Sequence, residues 1–142
     1  MFYCKPTHDS LPAPEACAVT GITPQLCEKK GFIEHEFIKK INKEFTTPDT
    51  CIVGYNSIAF DDEYTRHTLF RNFLDPYAWH WQNGNTRWDI LNVARFCYAH
   101  KEENSLNWFI NEKNRPIFRL DHLAPANNIE HTNAHDLSLI HI

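Results

Sequence analysis

The stretch Gly54-Tyr55-Asn56-Ser57-Ile58-Ala59-Phe60-Asp61-Asp62-Glu63 decides how this chain is read. It follows a short apolar run, Cys51-Ile52-Val53, and opens a helical pattern through Tyr64, Leu69, Phe70 and Phe73. A continuous apolar run of this length predicts a strand covered on both faces. Three carboxylates therefore stand where a strand hands over to a helix. Taken alone, they read first as a charged helix start, because outward-pointing backbone N–H groups favour anions there. Acids collected at strand ends are also what a hard divalent cation needs, since Mg²⁺ prefers carboxylate oxygens. The fuller string, Gly54-Tyr55-Asn56 followed by Phe60-Asp61, is more specific than the acids by themselves.

Outward from that stretch, the pattern has an α/β order. Phe2-Tyr3-Cys4 reads as the tail of a strand, and Pro6, Pro12 and Pro14 make the next segment extended or looped. Thr23-Pro24 predicts an N-cap with proline at the first helical position, and Gly31 a stop. Residues 34 to 45 place Phe37, Ile38, Ile41 and Phe45 on one face and Lys39, Lys40 and Lys43 elsewhere, a surface helix. The acidic helix is expected from about Asp62 to Phe73. Residues 75 to 88 are rich in Tyr, Trp, Asn and Gly without a clear period. A helix over Ile90 to Ala99 presents Leu91, Ala94 and Tyr98, and residues 100 to 116 look loop-like. A short helix from Leu120 to Asn127 contains Pro125, with Asn128 as a left-handed cap. There is no internal repeat and no linker, so one domain is expected.

Composition narrows the class. The 142 residues, 42% hydrophobic and 13% aromatic, are enough for one core. A formal charge of −4 argues against holding a polyanion by bulk positive charge. The five cysteines, at 4, 17, 27, 51 and 97, are odd in number and form no C-x-x-C pair, which points to a reducing compartment rather than a disulfide framework. No apolar stretch is long enough to span a membrane. The expectation is a soluble, cytoplasmic monomer.

Two further constellations bear on chemistry. His135-Asp136 is either a surface loop or, paired with an acid-lined site, a general base, because imidazole titrates near neutrality. A phosphohydrolase of the His-Asp type would need further histidines paired on helices, and the other eight show no such pairing. Arg66, Arg71, Tyr77, Trp79, Trp81, Arg87, Trp88, Arg95 and Arg119 interleave aromatic and basic groups, as single-stranded nucleic acid requires. Core filling is the competing account, and for Trp88, just before a helix, it is the better one.

These residues resemble the exodeoxyribonuclease I family, within the DEDD exonuclease superfamily in its histidine variant. The resemblance is carried by Phe2-Tyr3-Cys4-Lys5-Pro6, Thr20-Gly21-Ile22-Thr23-Pro24, Gly54-Tyr55-Asn56 and Phe60-Asp61-Asp62-Glu63. It continues through Arg71-Asn72-Phe73, Asp75-Pro76-Tyr77-Ala78-Trp79, Arg87-Trp88-Asp89, Phe118-Arg119-Leu120 and Asn133-Ala134-His135-Asp136. It implies a ribonuclease H-like α/β fold and stepwise removal of nucleotides from the 3′ end of single-stranded DNA, with two Mg²⁺ ions held by four acids. On the matching positions, Asp61 is a catalytic acid and metal ligand and His135 the base. Gly21, Ile22 and Thr23 match the loop against the terminal nucleotide, and Asn56 lies in the second motif. Arg66, Tyr77, Trp81, Arg95 and above all Arg119 match positions suited to DNA contact. A single-stranded DNA-binding protein is an expected partner, through regions outside this chain.

Departures from the pattern qualify the expectation. The family's first motif, Asp-x-Glu on an opening strand, has no counterpart, and the acid expected five residues beyond His135 is Ile140. Residues 1–136 are thus expected to be a partial exonuclease domain and residues 137–142 a tail outside the pattern. Little or no activity and poor solubility follow, the latter because an incomplete sheet leaves edges unpaired. A non-catalytic single-stranded DNA-binding remnant and a related RNA exonuclease remain open alternatives.

Overall fold

A computed structural model describes residues 2–9, 12–100 and 106–130. Helices α1 (Pro14–Thr20), α2 (Pro24–Lys30) and α3 (Glu34–Phe45) come first, then strand β1 (Cys51–Gly54). Next come α4 (Asp61–Arg71), α5 (Ala78–Trp81), a single 3₁₀ turn over Gln82–Gly84, and β2 (Thr86–Asp89). Helix α6 (Ile90–His100), strands β3 (Phe109–Ile110) and β4 (Pro116–Ile117), and helix α7 (Leu120–Ala126) complete the order. Most expected helices form with the bounds their signals suggest. Thr23 caps α2 by accepting the Leu26 N–H at 3.2 Å, with Pro24 at the first helical position. Helix α1, which begins on Pro14, helix α5 and strand β2 went unread in the sequence. The short β3–β4 pair lies within and at the end of the stretch read as loop.

The core forms where α3, α4, α5 and β1 meet. Ile38, Leu69 and Trp79 are buried together, and Ile41, Phe45, Ile52 and Leu74 pack against them. Asn85 ties the end of α3 to the start of β1: its side chain donates to the Phe45 carbonyl at 2.9 Å and accepts the Thr50 N–H at 3.0 Å. Parallel strands cannot be joined by a hairpin. The connection from β1 to β2 therefore carries α4 and α5 across before the chain returns. Register pairs Ile52 with Arg87, Val53 with Trp88 and Gly54 with Asp89.

Three expectations are corrected here. Strand β1 is not covered on both faces, since burial alternates along it and Val53 is exposed. Trp88 is not a core residue but stands 56% exposed. Successive strand side chains point to opposite faces, and Arg87 and Asp89 must both point inward to reach their partners. Trp88, between them, has to face the other way. In α4 the buried stripe is not the run of aromatics. Asp62 and Leu69 are buried with Arg66 partly so, at the spacing of one helix face. Tyr64 and Phe70 point outward, and the helix stops at Arg71, leaving Phe73 beyond it at φ 59° and exposed.

Helices α3 and α4 are tied at their ends. Arg71 reaches Glu34 with two donors, its Nε at 2.7 Å, and the Asn72 side chain donates to the same carboxylate at 2.8 Å. These donors hold the Glu34 carboxyl below its usual range. Its stabilising contribution is therefore present above the ordinary carboxylate value and is lost as pH falls below it. Glu34→Gln is expected to lower stability by about 1 kcal/mol at neutral pH, the pair being partly solvent-screened. Urea midpoints at pH 7 and pH 3 should show the difference shrinking in acid.

Candidate active site

Glycine is required where β1 ends. A Cβ on Gly54 would stand 2.5 Å from the Ser57 Cβ, so a larger residue would force the turn apart. Asn56 follows in the left-handed region at φ 61°, which Asn adopts more readily than other non-glycine residues. The turn's amides find their acceptor on β2. Asn56 N–H donates to Asp89 Oδ1 at 2.8 Å and Ile58 N–H to Asp89 Oδ2 at 3.2 Å. The Ser57 carbonyl accepts the Phe60 N–H at 3.2 Å and the Asp62 N–H at 2.9 Å, which starts α4 with Asp61 as its first residue.

The neighbouring acids have different fates. Asp62 is buried and forms an ion pair with Arg87, and burial still pushes its carboxyl upward against the pull of Arg87 and Arg66. Asp89 is buried and accepts three backbone N–H groups, the third from Leu91 at 3.0 Å. Asp61 stands at the surface beside them. Desolvation by the surrounding chain raises its carboxyl above the usual range, and the Asp89 charge adds to the effect. A cation beside Asp61 would offset both influences, and an exposed carboxylate oxygen is the donor that a hard divalent ion selects. Among the described residues, no three His, Cys, Asp or Glu side chains gather around a common point that could hold a metal.

Arg87 is the pivot behind this face. Besides pairing with Asp62 it lies 3.4 Å from His80 Nε2. Burial, with the charges of Arg87 and Arg66, depresses the His80 imidazole to about 4. A neutral His80 can accept from the Arg87 guanidinium. Arg87→Ala removes the partner of a buried carboxylate and is expected to cost about 3 kcal/mol in denaturant unfolding. It should also raise the His80 pKa, which an imidazole NMR titration would read.

The remaining sequence-derived positions divide into groups. Arg66 is paired with Glu63 and lies 5.7 Å from the ring centre of the exposed Tyr77, so these two come together. Trp81, at the end of α5, is 66% exposed and available for stacking. Arg95 is an exposed residue of α6, 3.4 Å from the Asn92 side chain. Arg119 precedes α7 and is engaged by Asp121, with Nε at 3.1 Å. The Tyr55 hydroxyl donates to the Phe118 carbonyl, which brings the Arg119 segment to the turn after β1. Gly21 closes α1 at φ 68°, Ile22 donates to the Thr20 hydroxyl and Thr23 caps α2, so this loop is shaped by two helix ends. His135, with Asp136 and Ile140, lies outside the described residues.

Asp89 and the Arg87–Asp62 pair carry structural duties that sequence reading did not assign. Arg87-Trp88-Asp89 was visible as a motif. Nothing in its pattern announced that both charged residues point inward, since alternation around a Trp ordinarily puts the aromatic inside and its polar neighbours outside.

Comparison with known proteins bears on this geometry. An exonuclease family profile matches residues 1–138. The chain is 56% identical over 136 residues to exodeoxyribonuclease I of Haemophilus influenzae, covering 96% of this chain and 28% of that protein. It thus spans somewhat more than a quarter of the curated relatives' length. Exonuclease I of Escherichia coli in complex with a dA16 oligonucleotide shares 56% identity and a TM-score of 0.86, over 95% of this chain and 29% of that one. The zinc-bound form of the Escherichia coli enzyme with single-stranded DNA has a TM-score of 0.86 at 54% identity, over 97% and 29% of the two chains. A structure of SSB/exonuclease I with an inhibitor matches equally well, at 52% identity, a TM-score of 0.86, and 98% and 30% coverage. This agreement supports the ribonuclease H-like exonuclease fold that the family resemblance implied. A match that runs through all the described residues makes the assignment plain: the chain belongs to the exonuclease family.

Proposed function

We propose that this chain supplies part of the catalytic domain of an exodeoxyribonuclease I, which releases mononucleotides from the 3′ end of single-stranded DNA by phosphodiester hydrolysis. The observation that carries the reading is Asp61, solvent-facing at the start of α4, in a chain 56% identical over 136 residues to such an enzyme. A divalent ion held there, Mg²⁺ by donor chemistry, would supply activation of the attacking water and neutralisation of the leaving 3′ oxygen. Asp61 is the ligand this chain contributes. His135 takes the proton from the attacking water, a role suited to imidazole near neutral pH.

Gly21, Ile22, Thr23 and Asn56 bound the terminal nucleotide in this reading. Tyr77 and Trp81 stack bases, while Arg66, Arg95 and Arg119 hold phosphates. The engagement of Arg66 by Glu63 and of Arg119 by Asp121 means that DNA must displace or share those carboxylates. The domain occupies residues 1–136, with 137–142 as a tail. In this reading the whole enzyme is a cytoplasmic monomer that meets a single-stranded DNA-binding protein through other segments, the last point supported by the SSB/exonuclease I structure. No helix among the described residues is long and apolar enough to cross a membrane.

The test is a chimera in which residues 1–136 replace the matching segment of the Haemophilus influenzae relative. Mg²⁺-dependent release of mononucleotides from single-stranded DNA, abolished by chelation, is expected; the 142-residue chain alone should show little or none. A folded chimera that binds DNA without digesting it would favour a DNA-binding remnant. Preference for RNA ends would favour the RNA exonuclease.

A further inference from the structure

We propose that Asp89 is a positioning residue: from the end of β2 its carboxylate clamps the turn at Asn56 and Ile58 and thereby sets where α4 presents Asp61. The significance of Asp61 as a metal ligand rests on the nuclease reading; the clamp itself does not.

Asp89 is 7% exposed. A buried carboxylate is tolerated only when its lone pairs are filled, and here both oxygens are used. Oδ1 accepts from Asn56 at 2.8 Å and Leu91 at 3.0 Å, and Oδ2 accepts from Ile58 at 3.2 Å. Two donors belong to the turn after β1 and the third to the start of α6, so one side chain fastens two segments. The register makes this possible, because Gly54 and Asp89 are partners at the end of the ladder.

The clamp reaches Asp61 through Ser57. That residue lies between the two held amides, and its carbonyl receives the Phe60 and Asp62 N–H groups on either side of Asp61. The left-handed Asn56 backbone also needs support, since a non-glycine residue keeps such a conformation only when its surroundings enforce it. Loss of the carboxylate would let the turn relax and α4 start elsewhere, carrying Asp61 away from its place.

Asp89→Asn makes a sharp test. An amide keeps one accepting oxygen, enough for Asn56 and Leu91, but sets an N–H₂ against the Ile58 N–H. Hydrogen exchange by NMR on the 142-residue chain should find both turn amides protected in the wild type. In the variant, Ile58 exchange should accelerate by about tenfold or more, as loss of a hydrogen bond to a charged group implies. Exchange at Ile38 and Leu69 should change by less than about twofold if the effect is local. With Mn²⁺ as probe, broadening of the Asp61 and Asp62 amides should weaken in the variant.

Turn amides that exchange at open-chain rates in the wild type would overturn the clamp, whatever the variant does. So would an unchanged Ile58, or an equal loss of protection at Ile38 and Leu69, which would make Asp89 a general fold residue. Unaltered Mn²⁺ broadening alongside a released turn would overturn the positioning of Asp61. A protected, Asp89-dependent turn without any wild-type Mn²⁺ broadening upholds the clamp and counts against the nuclease reading alone.

Discussion

In the chimera with the Haemophilus influenzae relative, Asp61→Asn is expected to slow mononucleotide release by about 10³-fold, roughly 4 kcal/mol of transition-state stabilisation. Asparagine matches aspartate in size and can sit at the same helix start, so the fold should survive. On the proposed reading, what disappears is the charge that would hold a divalent ion against the scissile phosphate. The fall should therefore appear in kcat, with KM for single-stranded DNA nearly unchanged. A variant as fast as its parent would remove Asp61 from the catalytic machinery. A folded variant with weakened DNA binding and normal kcat would make it a substrate contact.

Trp79→Ala should have the largest effect on stability. The indole is 1% exposed, packs on Phe45 with ring centres 5.3 Å apart, and donates to the Pro76 carbonyl at 3.1 Å. Truncating a buried Trp costs about 3–5 kcal/mol, from lost transfer energy and the cavity left behind. Domains of this size have about 5–15 kcal/mol in total. The core that would have to absorb the loss contains few fully buried residues, Ile38 and Leu69 foremost. Urea denaturation followed by circular dichroism should show a midpoint displaced far toward zero. Trp81→Ala, on an exposed ring three positions from the start of the same short helix, should shift stability by less than about 0.5 kcal/mol. Equal losses from both would mean that Trp79 is not the anchor of the core.

Local signals were legible where the physics is local. Thr23-Pro24 marked the start of α2, the apolar spacing from Phe37 to Phe45 marked α3, and Asn128 is left-handed at φ 56° as expected. The strand-to-helix turn at Gly54 to Asp61 was readable because a tight turn there demands glycine and a residue tolerant of positive φ. Strand β2 was not readable. Arg87 and Asp89 break the apolar run that would announce it, and they do so because each serves a partner far away in sequence.

The chain's own letters thus determined the α/β order, the chemistry available at Asp61 and the family. Hydrophobic periodicity, caps and turn residues act over a few positions and need nothing else. Tertiary structure alone decided which acid faces outward. Burial beside Arg87 commits Asp62, three amides commit Asp89, and Asp61 is left to the solvent. Three carboxylates of the same type acquire different roles because desolvation and hydrogen bonding depend on neighbours brought together by folding, and sequence spacing carries no record of them.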